Sequence, residues 1–411
     1  MKKFICVLGL LTMCSGCSLF QSNTSLMKPP ELPANQQELK KAIQQYVPAQ
    51  AEWVSPANEK KANKIIKEDL DQNGKNELIV FYRLPEETTQ MEAIVLKKIK
   101  KKWQRIAHLK DLGRELDKVE FNDLTNDNVK EVFIGFSYSK DSPEKALTVF
   151  DIHGKKPKKL FESPYSAFFS GDFNDDNKGE LLLSLLEPNQ KHEVSLYHVK
   201  QKQIETIDQL KLNPYVYDYY QSRSGRISPS IKGAIFDAGM GAHSSLSFIV
   251  GVINNQLVNV IPKNMKEEDL FRASSGMSDD TNGDGILEFS LQKEANKDLP
   301  YSEMPLIDQY YQLDDDQVAT MIQRSYSNRA YAYKIKIPKE WHDVEIHVSE
   351  DRRYVKLLSS EDGSLLFDVF VEDKGKQSDL QEWNVITETN QFQYLTKSLP
   401  EEWKSFFQLI S

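Results

Sequence analysis

The chain is poor in cysteine, in net positive charge and in long apolar runs. Its 411 residues contain three cysteines, Cys6, Cys14 and Cys17, so no residue after Cys17 can form a disulfide. The 52 Lys and Arg residues against 61 Asp and Glu give a net charge of −9, which argues against nucleic acid as a partner. The lack of several long apolar runs excludes a polytopic membrane protein. Aromatic residues make up 10% of the chain, which excludes a disordered protein, and the length permits two or three domains.

Common catalytic motifs are also missing. The sequence contains no Gly-rich phosphate loop, no G-x-S-x-G and no H-E-x-x-H. Ser142 and Lys145 have Ser-x-x-Lys spacing, but they lie in a polar stretch that reads as a turn. Glu345 and His347 would share one face of a strand, and a metal site there would need further ligands. We therefore predict no catalytic residue, although residues distant in sequence can still form an active site.

The first residues predict an export signal. Two lysines precede a short apolar stretch at residues 4–13, and Gly16 then precedes Cys17. This pattern resembles the bacterial lipobox, which implies that residues 1–16 are removed and that Cys17 is acylated. An ordinary secretory signal ending in cysteine is the alternative. Losing two lysines takes the net charge from −9 to −11, which would repel an anionic bilayer, so we expect the lipid to anchor the protein on the extracytoplasmic face of the cell membrane.

A tether and a helix are predicted to follow the leader. Residues 17–34 are polar and contain three prolines, as in a flexible spacer. Residues 35–60 form the lead-in to the main domain. Within it, apolar residues recur at helical spacing and predict a helix that packs on the body: Leu39, Ala42, Ile43 and Tyr46.

Four nine-residue acidic loops recur along the chain. Each has side-chain oxygens at positions 1, 3, 5 and 9 and Gly or Asn, which tolerate a left-handed backbone, at position 6. The oxygen-bearing residues are Asp69, Asp71, Asn73 and Glu77; Asp123, Thr125, Asp127 and Glu131; Asp172, Asn174, Asp176 and Glu180; and Asp280, Asn282, Asp284 and Glu288. Several hard oxygens aimed at one point suit Ca²⁺ better than Mg²⁺. The pattern therefore predicts several structural calcium sites, with metal-free Asx turns as the alternative.

These loops differ from EF-hands. An EF-hand needs a glutamate at position 12 and a helix after the loop, whereas position 12 is apolar here and a short apolar run of strand length follows each loop. The loops resemble the FG-GAP or VCBS repeat, the calcium-loop blade of integrin-α-like β-propellers. The resemblance implies a calcium-stabilised binding or scaffolding protein. The loop starts are 54, 49 and 108 residues apart, which predicts a degenerate, metal-free turn at Asp237 in the longest interval.

The predicted fold is mainly β. We expect a β-propeller of about five or more four-stranded blades over residues 61–313 and a small α+β domain over residues 314–411. In the C-terminal domain we expect one helix over 318–324 and another, starting near Ser398, with Trp403, Phe406, Phe407 and Ile410 on one face. The strands of the first two repeats are predicted at 64–68, 78–84, 92–97 and 103–109, and at 118–122, 132–138, 146–152 and 159–162.

A cluster of aromatic residues with an arginine predicts a contact surface for protein or sugar, the alternative being that the tyrosines pack between blades. The residues are Tyr215, Tyr217, Tyr219, Tyr220 and Arg223. The sequence as a whole favours a lipid-anchored, calcium-binding platform for an envelope protein or glycan. A cell-envelope enzyme built on the propeller and a calcium-responsive envelope sensor are the alternatives.

Overall fold

The computed structural model describes residues 34–57, 63–85, 90–139, 142, 144–154, 156–241, 244–296, 299–300, 303–376, 382–398 and 403–410. The leader, Cys17 and nearly all of the tether lie outside these residues. In the described part of the chain, no helix has the length and apolar character needed to cross a membrane.

The predicted N-terminal helix is confirmed. Helix α1 (Ala34–Gln44) buries Ile43 completely, and Ile43 packs with Val47 against apolar side chains of the first sheet. The apolar face read from the sequence is therefore the face that joins the helix to the body.

The described strands form six antiparallel sheets, which follow one another along the chain. The first contains β1 (Glu52–Val54), β2 (Ile66–Glu68), β3 (Glu77–Arg83), β4 (Met91–Ile99) and β5 (Lys102–Leu112). The second contains β6 (Glu115–Asn122), β7 (Glu131–Ser137), β8 (Lys145–Asp151) and β9 (Lys158–Tyr165). The third contains β10 (Ala167–Gly171), β11 (Glu180–Glu187), β12 (Lys191–Lys200) and β13 (Gln203–Lys211). The strands predicted for the first two repeats are confirmed.

Three further sheets complete the described fold. The fourth contains β14 (Tyr219–Arg226), β15 (Lys232–Gly241), β16 (Ser244–Ile253), β17 (Gln256–Asn259) and the two-residue β18 (Phe271–Arg272), which follows a 3₁₀ turn at Glu267–Leu270. The fifth contains β19 (Phe289–Glu294), β20 (Leu306–Leu313), β21 (Ala319–Asn328), β22 (Tyr333–Ile337) and β28 (Phe407–Leu409), with a 3₁₀ turn at Arg329–Tyr331 and helix α2 (Trp403–Phe406). The sixth contains β23 (Val344–Val348), β24 (Tyr354–Ser359), β25 (Leu365–Asp373), β26 (Asn384–Glu388) and β27 (Phe392–Thr396).

Apolar side chains join each sheet to the next one along the chain. Phe81 and Ile134 share a cluster between the first and second sheets, and another cluster joins the second sheet to the third. The Phe169 and Phe236 rings lie 6.3 Å apart between the third and fourth sheets, and the cluster that contains them reaches Phe289 of the fifth. A further cluster joins the fifth sheet to the sixth. Within the described ranges, no such cluster joins the sixth sheet to the first, so the structure establishes a mainly β fold of successive antiparallel sheets without defining a closed ring.

The helix expected over 318–324 was wrong, because residues 319–324 belong to β21. Asp314 makes a tight turn instead of a helix start: its Oδ1 accepts the Val318 backbone N–H at 2.8 Å, and Gln317 has a φ of 63°. The turn joins β20 to β21 within one sheet, so the expected domain boundary at 313/314 lies inside a hairpin. The described part of 314–411 is correspondingly mainly β rather than α+β.

The C-terminal helix is shorter than expected. It ends at Phe406, and Phe407 begins β28, which pairs with β22. The Phe407 ring stacks on Tyr333 at 5.3 Å, so pairing with the sheet competes successfully with continuation of the helix. Residues 399–402 of the predicted cap lie outside the described part of the chain.

The degenerate repeat predicted at Asp237 does turn the chain, because the end of β15 pairs with the start of β16, but Asp237 itself does not lie in the turn. Asp237 lies within β15 and is fully buried. Its Oδ1 is 2.9 Å from Nη2 of the buried Arg272, and its carboxylate also accepts hydrogen bonds from Ser247 and Ser278. The carboxylate is thus held by a cation of the chain itself.

Candidate functional site

Three of the four acidic loops lie between paired strands, as expected. They join β2 to β3, β6 to β7 and β10 to β11. The fourth is closed by an isolated bridge between Asp279 and Glu288 and leads into β19. The strand–loop–strand arrangement is therefore confirmed for the first three loops.

One backbone hydrogen-bond network recurs in all four loops. The aspartate at position 1 accepts the N–H of position 6 at 2.7–3.1 Å, and the side-chain oxygen at position 5 accepts the N–H of position 7 at 2.9–3.0 Å. The glutamate at position 9 accepts the N–H of position 2 at 2.7–2.9 Å. Positions 4 and 6 both have φ between 53° and 85°. The left-handed position 6 was predicted, whereas the one at position 4 was missed because Gln72, Asn126, Asp175 and Gly283 have no common residue type.

The position-9 glutamates are buried. Glu77, Glu131, Glu180 and Glu288 are 2%, 1%, 1% and 0% exposed. Burial raises the pKa of Glu131 and of Glu180 to about 7, and it also raises the pKa of Glu77 and of Glu288. Each loop therefore contains a carboxylate whose charged form calls for a nearby positive charge.

In the first loop, a lysine supplies that charge. Nζ of Lys97 on β4 contacts the Asp71 carboxylate and lies 3.5 Å from Oε1 of Glu77. Partial burial lowers the pKa of Lys97, but the hydrogen bond to Asp71 and the charges of Glu77 and Asp71 outweigh that effect and raise it above its usual value. The ammonium group lies among oxygens that the sequence assigns to a metal.

In the fourth loop, a neutral amide takes the same place. Gln312 Nε2 lies 2.7 Å from Asp284 Oδ2 and 3.2 Å from Glu288 Oε1. In both loops, the first residue after the position-9 glutamate pairs with a residue on the next strand. Lys97 and Gln312 each directly follow that paired residue, so they occupy equivalent positions. Strand register identifies both positions.

Carboxylate oxygens gather in the first and fourth loops. One oxygen from each of three residues lies within 4.8 Å of the others in each set, the sets being Asp69, Asp71 and Glu77, and Asp280, Asp284 and Glu288. Several carboxylates supplemented by amide and backbone oxygens form the hard donor set that Ca²⁺ takes. These residues fit the predicted ion.

The position-3 residues of the second and third loops point to other partners. The Thr125 hydroxyl donates to Glu131 Oε1 at 2.8 Å, and the Asn174 amide donates to Asn255 Oδ1 at 2.8 Å. In the described part of the chain, neither Glu131 nor Glu180 has a cationic side chain within 4.0 Å. Asp172 Oδ1, at position 1 of the third loop, is buried and has no hydrogen-bond partner among the described residues. An ion would satisfy that oxygen.

Other acids of these two loops contact histidine and lysine side chains at the loop surface. His153 Nδ1 lies 2.7 Å from Asp127 Oδ2 in the second loop. Lys232 Nζ lies 2.6 Å from Asp175 Oδ1 and 3.8 Å from Asp172 Oδ2 in the third. The exposed acids are thus partly compensated by the chain, unlike the buried glutamates.

The tyrosine cluster divides into packed and exposed members. Tyr219 Oη lies 2.6 Å from both Ser184 Oγ and His192 Nε2, so Tyr219 packs between the third and fourth sheets. Tyr215, Tyr217 and Tyr220 are 66%, 59% and 43% exposed.

Two exposed rings lie over glycines of β15. A Cβ atom on Gly239 would lie 3.0 Å from Tyr220 Cζ, and one on Gly241 would lie 3.2 Å from Tyr217 Cε2. Because these glycines lack side chains, both rings rest against the strand and leave their other sides to solvent. Arg223 of the same cluster is 3.6 Å from Asp279.

No protein-family model and no curated protein matches the chain. Among solved structures, it is similar to Sqt1 of Saccharomyces cerevisiae, with 10% identity, a TM-score of 0.35 and coverage of 80% of this chain and 85% of that one. It is also similar to a rhamnogalacturonan lyase of Bacillus licheniformis, with 8% identity, a TM-score of 0.35 and coverage of 78% and 64%. Likenesses at this level assign neither a function nor a detailed fold.

Proposed function

We propose that this protein is a lipid-anchored, extracytoplasmic protein of the cell membrane and that its calcium-binding β-propeller is a platform for an envelope protein or glycan. The observation that carries the proposal is the buried glutamate, held by one backbone network, in four separate loops. Cys17 carries the lipid in this proposal, because it follows the apolar leader and Gly16.

The propeller part of the proposal rests on sheet order. Successive antiparallel sheets, each packed on the next through apolar side chains, are the arrangement of blades in a propeller. Contact between the sixth sheet and the first would close the ring and remove the exposed sheet edges.

Calcium has a structural role in this account. The oxygens at positions 1, 5 and 9 of each loop would hold it, with that of position 3 in the first and fourth loops and the backbone carbonyl of position 7. The ion supplies positive charge beside a carboxylate that burial leaves costly to ionise. The chain's own residues do the rest: the left-handed positions 4 and 6 fold each loop back, and the position-1 aspartate fixes that fold through backbone N–H groups.

The exposed tyrosines form the proposed partner surface. Tyr217 and Tyr220 present ring faces that are held in place by close contact with β15. Rigid aromatic rings lose little entropy on binding and are common in interfaces with proteins and sugars.

Membrane fractionation and partner capture test this function. Wild-type protein should sediment with membranes and incorporate labelled palmitate, and Cys17→Ala should do neither. After capture from envelope extracts in calcium, Tyr217→Ala with Tyr220→Ala should lose the partners that wild type retains. Tyr138→Ala is the matched control, because Tyr138 is 55% exposed outside this cluster. Equal capture by all variants would contradict the tyrosine platform.

A further inference from the structure

A cleft of about 880 Å³ opens between the fourth and fifth sheets. Its charged lining consists of four cationic and two acidic side chains: Arg223, Arg329, Lys334, Lys336, Asp279 and Asp308. The excess of positive charge stands out in a chain whose net charge is −9.

The cleft lining has two more cations than acids. Arg223 lies 3.6 Å from Asp279, but no described carboxylate lies within 4.0 Å of the charged nitrogens of Arg329, Lys334 or Lys336. Three cations facing one concave space create a local field that favours negative ligands over neutral ones.

Lys334 lies against an aromatic ring in this cleft. Its Nζ lies 3.4 Å from Tyr310 Oη and 5.3 Å from the centre of the Tyr310 ring. Burial lowers the pKa of Lys334, an effect that the charge of Asp308 partly opposes. A bound anion would offset the same desolvation cost.

The cleft wall is held in place before any ligand arrives. The buried Asp237–Arg272 pair fixes Ser278, whose backbone N–H and hydroxyl both donate to Asp237. Gln221 then donates to the Ser278 carbonyl, and Arg329 Nη2 donates to the Ser275 carbonyl at 2.9 Å. A site fixed by buried contacts loses little conformational entropy on binding.

Neutral residues, both polar and apolar, complete the lining, the apolar ones including Met277, Leu409 and Ile410. The side chains of Gln221, Gln323 and Gln408 reach the cleft together with the Ser327 hydroxyl. Amides and hydroxyls can pair with sugar hydroxyls, and the volume lies within the usual range of small-ligand sites.

We propose that this cleft binds an anionic oligosaccharide, whose carboxylate or phosphate groups meet Arg329, Lys334 and Lys336. This inference rests on the proposed platform role and assigns a ligand class to it. It does not require the tyrosine surface or occupied calcium loops.

Calorimetric titration of the full chain tests the proposal with four probes: an alginate trisaccharide, a phosphorylated maltotriose, neutral maltotriose and a hexaglutamate peptide. We expect binding of one or both charged saccharides, weakened by added salt, and at least tenfold weaker binding of maltotriose. Arg329→Gln combined with Lys334→Met should weaken the charged saccharide at least tenfold. Lys211→Gln, which removes an exposed cation on β13, should leave it unchanged.

The two charged saccharides distinguish carboxylate from phosphate recognition. Arg329→Gln alone, at an exposed side chain, keeps the test valid if Lys334→Met fails to fold. The proposal is overturned by no binding of either charged saccharide at millimolar concentration, by binding of hexaglutamate alone, or by binding that the cleft variants leave intact. If partner capture still depends on Tyr217 and Tyr220 in that case, the platform stands and only the cleft assignment falls.

Discussion

The fourth sheet and the acidic loops bury carboxylates in two different ways. Asp237 is fully buried beside Arg272 at 2.9 Å and accepts further hydrogen bonds from two serines. Glu131 is also buried, but the donors around it are two backbone N–H groups and the Thr125 hydroxyl. One carboxylate is neutralised by the chain, and the other is not.

The sixth sheet contains a third arrangement. Asp368 is fully buried and accepts five hydrogen bonds from neutral backbone and hydroxyl donors. Among the described residues, no cationic side chain forms an ion pair with it. A dense set of neutral donors can therefore hold a carboxylate. Glu131 accepts three such hydrogen bonds, and burial raises its pKa to about 7. We therefore propose that the Glu131 loop takes a cation from solution, whereas Asp237 has Arg272 beside it.

The largest expected effect on stability comes from breaking the buried Asp237–Arg272 ion pair. Asp237→Ala leaves the Arg272 guanidinium buried without its partner and should lower the free energy of unfolding by about 3–5 kcal/mol. Denaturant unfolding in EDTA and in calcium should show the same loss in both. If calcium reversed the loss of stability, Arg272 would not be the cation that balances Asp237.

The second effect concerns Glu131, whose folded-state pKa of about 7 lies above the ordinary value of 4.5. A raised carboxyl pKa means that the metal-free protein loses stability as pH rises from about 4.5 through 7. Glu131→Gln does not ionise, so in EDTA at pH 8 it should raise the free energy of unfolding by up to about 3 kcal/mol. It should also reduce the gain in stability that calcium provides.

Asp368→Asn is the control for that measurement. Because neutral donors surround Asp368, its substitution should lower stability equally with and without calcium. If Glu131→Gln lowers stability in EDTA at pH 8, the loop glutamate is already satisfied and the comparison with Asp237 fails.

Gln312→Lys gives the fourth loop the side chain that Lys97 gives the first. The new ammonium should contact Asp284 and Glu288 and raise stability in EDTA by about 1–2 kcal/mol. It should also weaken calcium binding at that loop, because it competes for the same oxygens. Calorimetric titration with calcium should show one fewer high-affinity site. An unchanged titration would mean that Gln312 does not lie at the calcium site.

The reverse change has the smallest expected effect. Lys97→Gln removes the ammonium beside Asp71 and Glu77, and it should lower stability in EDTA by about 1 kcal/mol. The calcium-induced gain should increase, since the first loop would no longer contain its own cation. Lys98→Gln is the control, because Lys98 pairs with Glu38 of α1 at 3.0 Å instead. Equal calcium responses in both variants would argue against competition between Lys97 and the ion.

Local sequence patterns predicted much of this fold. The four strands of the first repeat, such as 78–84 for β3, follow from apolar runs that the loops separate. The left-handed position 6 follows from Gly and Asn, which tolerate that backbone. These features depend on neighbours in the chain, so a single sequence reveals them.

Features set by long-range contacts were not predictable in the same way. Asp237 was read as a loop residue because its partner, Arg272, is 35 residues away. The strand β21 was read as a helix because pairing with β20 overrides the local pattern. Strand register also brings Lys97 and Gln312 to their loops, and a single sequence does not give that register.

Thermal unfolding of the wild-type protein in EDTA, in Mg²⁺ and in graded Ca²⁺ tests the central claim most directly. We predict a rise in stability that is specific to Ca²⁺, about 2.7 kcal/mol per site at a hundredfold excess over Kd. Equal stability in EDTA and in millimolar Ca²⁺ would contradict it and would make the four loops metal-free turns.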